Sequence, residues 1–221
     1  MNGSSHTVFI VDDAREVRAG LSRLLAAAGY QVRAFESAAS FLEEQDAEVP
    51  GCLLLDVCMP GLSGLELQRS LLGSREARPI VFLTGRGDVQ TSVNAMKEGA
   101  VDFLTKPVDD VQLFAAVDQA LQRDADQRLE RAVVESIQQR LNLLTPRERQ
   151  VMGQVIRGRL NKQIAADLGT GEKTVKVHRA RVMSKMMARS VAELVQLAAR
   201  MGISSEPALA VDEVDLKWTR A

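Results

Sequence analysis

The sequence predicts two unlike domains. The first is α/β, a doubly wound five-stranded parallel sheet. A long helix joins it to the second, an all-α domain of four helices built around a helix-turn-helix. Three features of the chain point this way. Through the first half of the 221 residues, short runs of β-branched and leucine residues alternate with helical stretches, as buried parallel strands do. Between Val111 and Leu141 there is no proline or glycine, and apolar residues recur mostly in steps of four. Beyond that, capping residues and glycines divide the chain into four short helices.

The expected strands are Val8–Val11, Gln31–Phe35, Cys52–Leu55, Ile80–Leu83 and Val101–Leu104. Helices are expected over Ala14–Ala28, closed by Gly29, and over Ala38–Glu44 after Ser37. Further helices are expected over Leu65–Leu72, over Asp88–Glu98 closed by Gly99, and from Asp109 onward. Glycine just past a helix relieves the left-handed C-terminal turn. The last helix carries Leu113, Val117 and Leu121, a polar gap Arg123–Arg128, then Leu129, Val133, Ile137 and Leu141. Its second half is expected to act as a helical linker that contributes to dimer contacts.

In the second half, Thr145-Pro146-Arg147-Glu148 forms a capping box with proline at the first helical position. That helix ends at Gly158. Asn161 is expected to cap a helix over Lys162–Leu168, a third helix runs from Glu172 to about Met187, and Ser190 with Glu193 opens a fourth with another capping box. Two short helices around a glycine-containing turn make a helix-turn-helix. The boundaries expected are 1–123, a linker 124–142, 143–202 and a tail 203–221 that holds Trp218.

No apolar stretch approaches the ~20 residues of a membrane span, and the N-terminus lacks a secretory apolar region. Cys52 and Cys58 on one extended segment lie about 20 Å apart, too far for a disulfide. A cytoplasmic location is expected. The net charge of −1 conceals an asymmetry: residues 1–123 hold 11 basic and 17 acidic side chains, and 140–200 hold 13 and 4. Only the second half suits a polyanion.

In parallel sheets, ligands sit beyond the carboxyl ends of the strands. Asp12, Asp13, Asp56, Thr84 and Lys106 each stand just past an expected strand. Three carboxylates at ~5 Å and an effective dielectric near 20 repel by roughly 3 kcal/mol per pair. Such a cluster takes up protons or recruits a divalent cation, and an all-oxygen set with an open side favours Mg²⁺. A carboxylate beside that cation is a nucleophile toward a phosphoryl group. Asp56 is the expected phosphoacceptor, Lys106 its cationic partner and Thr84 a hydrogen-bond donor. A Mg²⁺ phosphohydrolase would need an Asp-x-Asp nucleophile–acid pair and a substrate cap; Asp12 and Asp13 are adjacent instead, and no cap insertion is present.

On the third helix of the second half, Val175, Val182 and Met186 share a face that should pack inward, with His178 beside them. Lys173, Lys176, Val177 and Ala180 face outward, flanked by Arg179, Arg181 and Lys185. Short or basic side chains with cationic edges suit a B-DNA major groove, with Lys176 and Val177 at base edges and the flanks at phosphates.

The runs Val11-Asp12-Asp13, Leu55-Asp56-Val57-Cys58-Met59-Pro60-Gly61, Leu83-Thr84-Gly85 and Thr105-Lys106-Pro107 resemble a response-regulator receiver domain over about residues 6–122. The resemblance implies a flavodoxin-like strand order 2-1-3-4-5. It also implies Mg²⁺ held by Asp13, Asp56 and the Cys58 carbonyl, with Asp12 acting through water. It further implies a cis peptide at Lys106-Pro107, a switch in which Phe103 rotates as Thr84 moves, and a phosphoryl lifetime set by Cys58 and Arg86. The runs Leu144–Arg149, Asn161-Lys162-Gln163-Ile164-Ala165 and Lys173-Thr174-Val175-Lys176-Val177-His178-Arg179 resemble the LuxR-type DNA-binding domain. Asn161, Lys162 and Thr174 thereby join the expected DNA contacts. Thr170 and Gly171 depart from the usual aliphatic residue and capping serine. Together the halves resemble the FixJ-like branch of two-component regulators. That resemblance implies a regulator, not an enzyme beyond its own phosphoryl transfer and loss. A sensor histidine kinase would phosphorylate Asp56, a homodimer would form through the surface near Asp88–Phe103, and roughly palindromic promoter DNA would be bound. RNA polymerase is a further candidate partner.

Overall fold

The computed structural model describes residues 6–74, 77–85 and 89–203. Five parallel strands form one sheet: β1 (Thr7–Val11), β2 (Gln31–Phe35), β3 (Gly51–Asp56), β4 (Ile80–Thr84) and β5 (Asp102–Thr105). Their order is β2-β1-β3-β4-β5, as the resemblance implies. The helices between them are α1 (Arg15–Ala27), α2 (Ala38–Glu44), α3 (Gly64–Leu71), α4 (Val89–Lys97) and α5 (Asp110–Asn142). β1, β3 and β4 read as unbroken apolar runs because helices cover both faces. Alternate side chains point to opposite sides of a strand. Val8, Ile10, Leu54 and Leu83 pack with Leu25 of α1 and Leu113 and Val117 of α5. Phe9, Val11, Leu53 and Leu55 pack with Phe41 of α2 and Leu67 of α3.

The register sets what stands at the carboxyl edge. Val11 pairs with Leu55, Asp56 with Leu83 and Thr84 with Thr105. Asp56 and Thr84 are therefore the last residues of their strands rather than the first beyond them. β5 lies one residue later than expected, although the Val101 N–H already donates to the Ile80 carbonyl of β4. Gly29 and Gly99, both at φ +94°, turn the chain out of α1 and α4 in a conformation that an L side chain resists. Both cysteines are free.

The chain divides into two compact units, to Leu129 and from Glu130, so the boundary falls within α5. In the second unit, α6 (Pro146–Ile156), α7 (Asn161–Asp167), α8 (Glu172–Met186) and α9 (Val191–Arg200) pack around Val151, Met152, Ile164, Val175, Val182, Met186 and Leu194. The stripe on the second half of α5 departs from its expected role. Ile137 and Leu141 are buried in this core and Val133 packs against it, which takes them away from any partner helix. Burial of side chains of this size contributes about 1.5–3 kcal/mol each. Leu129 alone of that stripe is exposed. Arg140 secures the same segment by donating to the Met186 carbonyl at the end of α8.

Two cap expectations also change. Leu160, not Asn161, precedes α7, and its N–H is taken by Gln163 Oε1. Ser190 caps α9, but Glu193 accepts from the Arg189 N–H rather than closing the box. Asp88, Arg86 and Trp218 lie outside the described residues. Among those described, no helix is long and apolar enough to cross a membrane.

Candidate functional site

β1 and β3 are neighbours, so their ends bring Asp12 and Asp56 together across the sheet edge. Asp12 is fully buried, Asp56 is 5% exposed and Asp13 is exposed. One oxygen from each of the three carboxylates lies within 4.8 Å of the others. Lys106 enters from beyond β5. Its Nζ donates to Asp56 Oδ1 at 2.7 Å and also to Asp12 Oδ2. Its own backbone N–H donates to the Thr84 carbonyl, which ties the ends of β4 and β5 to the same spot. Thr84 is buried, and Phe103 is half-buried with its ring 6.0 Å from that of Phe82. The Lys106–Pro107 peptide is cis. Cys58 is exposed.

The cleft is short of positive charge. Burial pushes the Asp56 carboxyl above the ordinary aspartate range. Lys106 opposes that shift, and the neighbouring charges of Asp12 and Asp13 reinforce it. Burial works against the Lys106 ammonium too, but hydrogen bonds to Asp12 and Asp56 overcome it and hold lysine above its usual value. Burial thus leads the Asp56 shift, while the one ammonium is held charged by two carboxylates with a third alongside. The all-oxygen donor set, with one exposed acid, fits a hard cation such as Mg²⁺.

Two further groups shape the site without a motif to mark them. A side chain on Gly64, the first residue of α3, would collide with the Asp56 carbonyl, so only glycine lets α3 begin so close to β3. Arg18 of α1 donates from Nη1 to the carbonyls of Asp12 (2.7 Å) and Asp13 (2.9 Å). Gly64 carries no signal beyond its place near a capping serine. Arg18 has only its helical distance from the acids.

In the second unit, Lys173, Thr174, Lys176, Val177, Ala180 and Arg181 are exposed along α8, as is Lys162 on α7. Val175, Val182 and Met186 are buried on the opposite side, and His178 is half-buried. Four expected contacts have partners within the protein, Lys176 among them through an exposed ion pair with Glu172 at 3.8 Å. Arg179 donates to Asn161 Oδ1 at 3.1 Å, linking α8 to the start of α7. Lys185 departs furthest from a phosphate contact: its Nζ is 2.6 Å from buried Glu148 Oε2 and 3.0 Å from the Leu143 carbonyl. The Glu148 carboxyl falls to about 2, through the Lys185 hydrogen bond and the Thr145 N–H of the capping box. Arg147, which spacing alone does not distinguish, donates to the Leu168 carbonyl at 2.6 Å and braces the turn before α8.

Residues 8–118 match the response regulator receiver domain, and residues 142–198 match the luxR family of bacterial regulatory proteins. Nodulation protein W of Bradyrhizobium diazoefficiens is 44% identical over 198 residues, covering 90% of this chain and 87% of that protein. Response regulator protein TodT of Pseudomonas putida is 41% identical over 93% of this chain and 91% of its own length. Among solved structures, the response regulator StyR superposes with a TM-score of 0.78 at 47% identity, covering 89% of this chain and all of that one. Full-length FixJ from B. japonicum gives 0.54 at 41% identity over 90% and 98% of the two chains.

Proposed function

The chain belongs to the two-component response regulators with a LuxR-type DNA-binding domain, and on that premise we propose that phosphorylation of Asp56 switches on promoter binding. The observation that carries this reading is the meeting of Asp12, Asp13 and Asp56 with Lys106 at one sheet edge, in a chain whose other unit presents a basic helix. A carboxylate oxygen of Asp56 attacks phosphorus as the bond to the donor's leaving group breaks, and the leaving group departs with its electron pair. Asp13, Asp56 and the Cys58 carbonyl would hold Mg²⁺, with Asp12 outside them through water. The cation supplies neutralisation of the phosphoryl oxygens. Lys106 is placed to pair with the new phosphate and Thr84 to donate to it.

Access has a natural side. Asp13, Cys58 and Gly85 are exposed around the recessed Asp56. An apolar groove of about 240 Å³, lined by Leu21 and Leu24 of α1 with Pro107, Val108 and Leu113, adjoins Lys106 and has room for apolar side chains of the donor kinase. Val89, Val93 and Met96 form an exposed apolar stripe on α4 at helical spacing, which supports a phosphorylation-dependent homodimer there. Two copies of α8 would then read adjacent half-sites of a roughly palindromic operator. Lys176 and Val177 would meet bases, and Lys173, Thr174, Arg181 and Lys162 phosphates. A regulator's role without turnover of free substrates accompanies this reading. Gel filtration and footprinting of the full chain, with and without acetyl phosphate and Mg²⁺, test it. Dimer formation and protection on phosphorylation are expected, and identical behaviour in both states would refute the switch.

A further inference from the structure

We propose that Arg18 is a positioning residue for the cation site, fixing Asp13 by clamping the backbone of the acidic turn. This role rests on Mg²⁺ binding at the three acids. The three carboxylates are held in different ways. Asp12 accepts from Lys106 and, through Oδ1, from the Ala14 N–H at 2.9 Å. Asp56 ends a strand and accepts from Lys106. Among the described residues no hydrogen bond reaches the carboxylate of Asp13, although it is the exposed acid of the three. Where that carboxylate points is therefore set by the backbone that carries it. Two side chains hold that backbone: Asp12 Oδ1 takes the Ala14 N–H, and Arg18 Nη1, half-buried on α1, donates to the Asp12 and Asp13 carbonyls together. Fixing two successive carbonyls fixes two peptide planes, and with them the direction of the Asp13 Cα–Cβ bond.

Arg18 also brings a positive charge close to a cation site, which by itself opposes cation binding. The two effects have opposite signs. If orientation dominates, neutralising Arg18 weakens Mg²⁺ binding; if charge dominates, it strengthens binding. Because a single nitrogen makes both contacts, a lysine ammonium can reproduce them, whereas a glutamine amide brings neither the charge nor the reach.

The test is calorimetric titration of the full chain with Mg²⁺ alone, for wild type, Arg18→Gln, Arg18→Lys and Asp13→Asn. Outer-shell supports of metal ligands are typically worth about 10–100-fold in affinity. Arg18→Gln is expected to lose about tenfold, Arg18→Lys to stay within about threefold of wild type, and Asp13→Asn to lose most binding. Amide resonances of Asp13 and Ala14 in the metal-free protein supply a second readout. They should shift in Arg18→Gln and stay near wild type in Arg18→Lys, and this comparison decides the matter if the glutamine variant binds too weakly to titrate. Unchanged or tighter binding by Arg18→Gln, beside a normal loss in Asp13→Asn, overturns the role of Arg18 and leaves the site standing. Absence of Mg²⁺ binding by wild type overturns both.

Discussion

One ammonium serves two carboxylates: Lys106 Nζ sits 2.7 Å from Asp56 Oδ1 while also bonded to Asp12 Oδ2. With Asp13 alongside, the cleft keeps more negative than positive charge, so its members influence stability in opposite directions. Asp13→Asn should stabilise the metal-free protein by about 1 kcal/mol through relief of repulsion. Lys106→Met should destabilise it by about 1–3 kcal/mol by leaving two recessed carboxylates unpaired. Urea unfolding without metal measures both, and equal signs would contradict the charge balance described.

Glu148 and Lys185 form the corresponding lock in the DNA-binding unit. The Glu148 carboxyl is lowered to about 2 from an ordinary 4.5, so its contribution is fully present above the unfolded value. It should fade as pH falls from about 4.5 toward 2 and be absent below that. Lys185→Met should unfold α6–α9 earlier in urea at pH 7, and this difference from wild type should shrink toward pH 2. A pH-independent difference would show that the pair does not titrate as described.

Met187 ends α8 at φ +55°, the left-handed position that favours glycine, and the residue is 67% exposed. Little packing is at stake there. Met187→Gly should stabilise the second unit by about 1 kcal/mol, read from its urea midpoint. Destabilisation would mean that the exposed side chain makes contacts of weight.

Lys176→Ala should weaken a specific promoter site more than random DNA, because Lys176 is assigned to base edges. Arg181→Ala should weaken both alike and lower the salt dependence by about one unit of slope. Binding isotherms at several salt concentrations separate the two patterns. Equal losses on both DNAs for Lys176→Ala would remove it from base reading.

Much of this architecture could be read from residue order. Strands β1, β3 and β4, covered by helices on both faces, are apolar without interruption, so they announce themselves, and the acids fall where such sheets bind ligands. What escaped has a common cause. The apolar stripe at Ile137 and Leu141 is equally consistent with a partner helix and with the chain's own core, since periodicity reports a buried face but not what buries it. Lys185 and Arg181 are alike as sequence, yet only Lys185 finds a buried carboxylate 37 positions earlier. Arg18 acts on carbonyls, which every residue has, and Gly64 acts through the absence of a side chain. Contacts to the main chain leave little trace in composition or spacing.

Signalling by this chain turns on where the phosphoryl group goes. Intact-protein mass measurement after incubation with acetyl phosphate and Mg²⁺ should show one added phosphoryl group on wild type and none on Asp56→Asn, with peptide mapping placing it on Asp56. Equal labelling of the two proteins, or none on wild type, would contradict the role of Asp56 as phosphoacceptor.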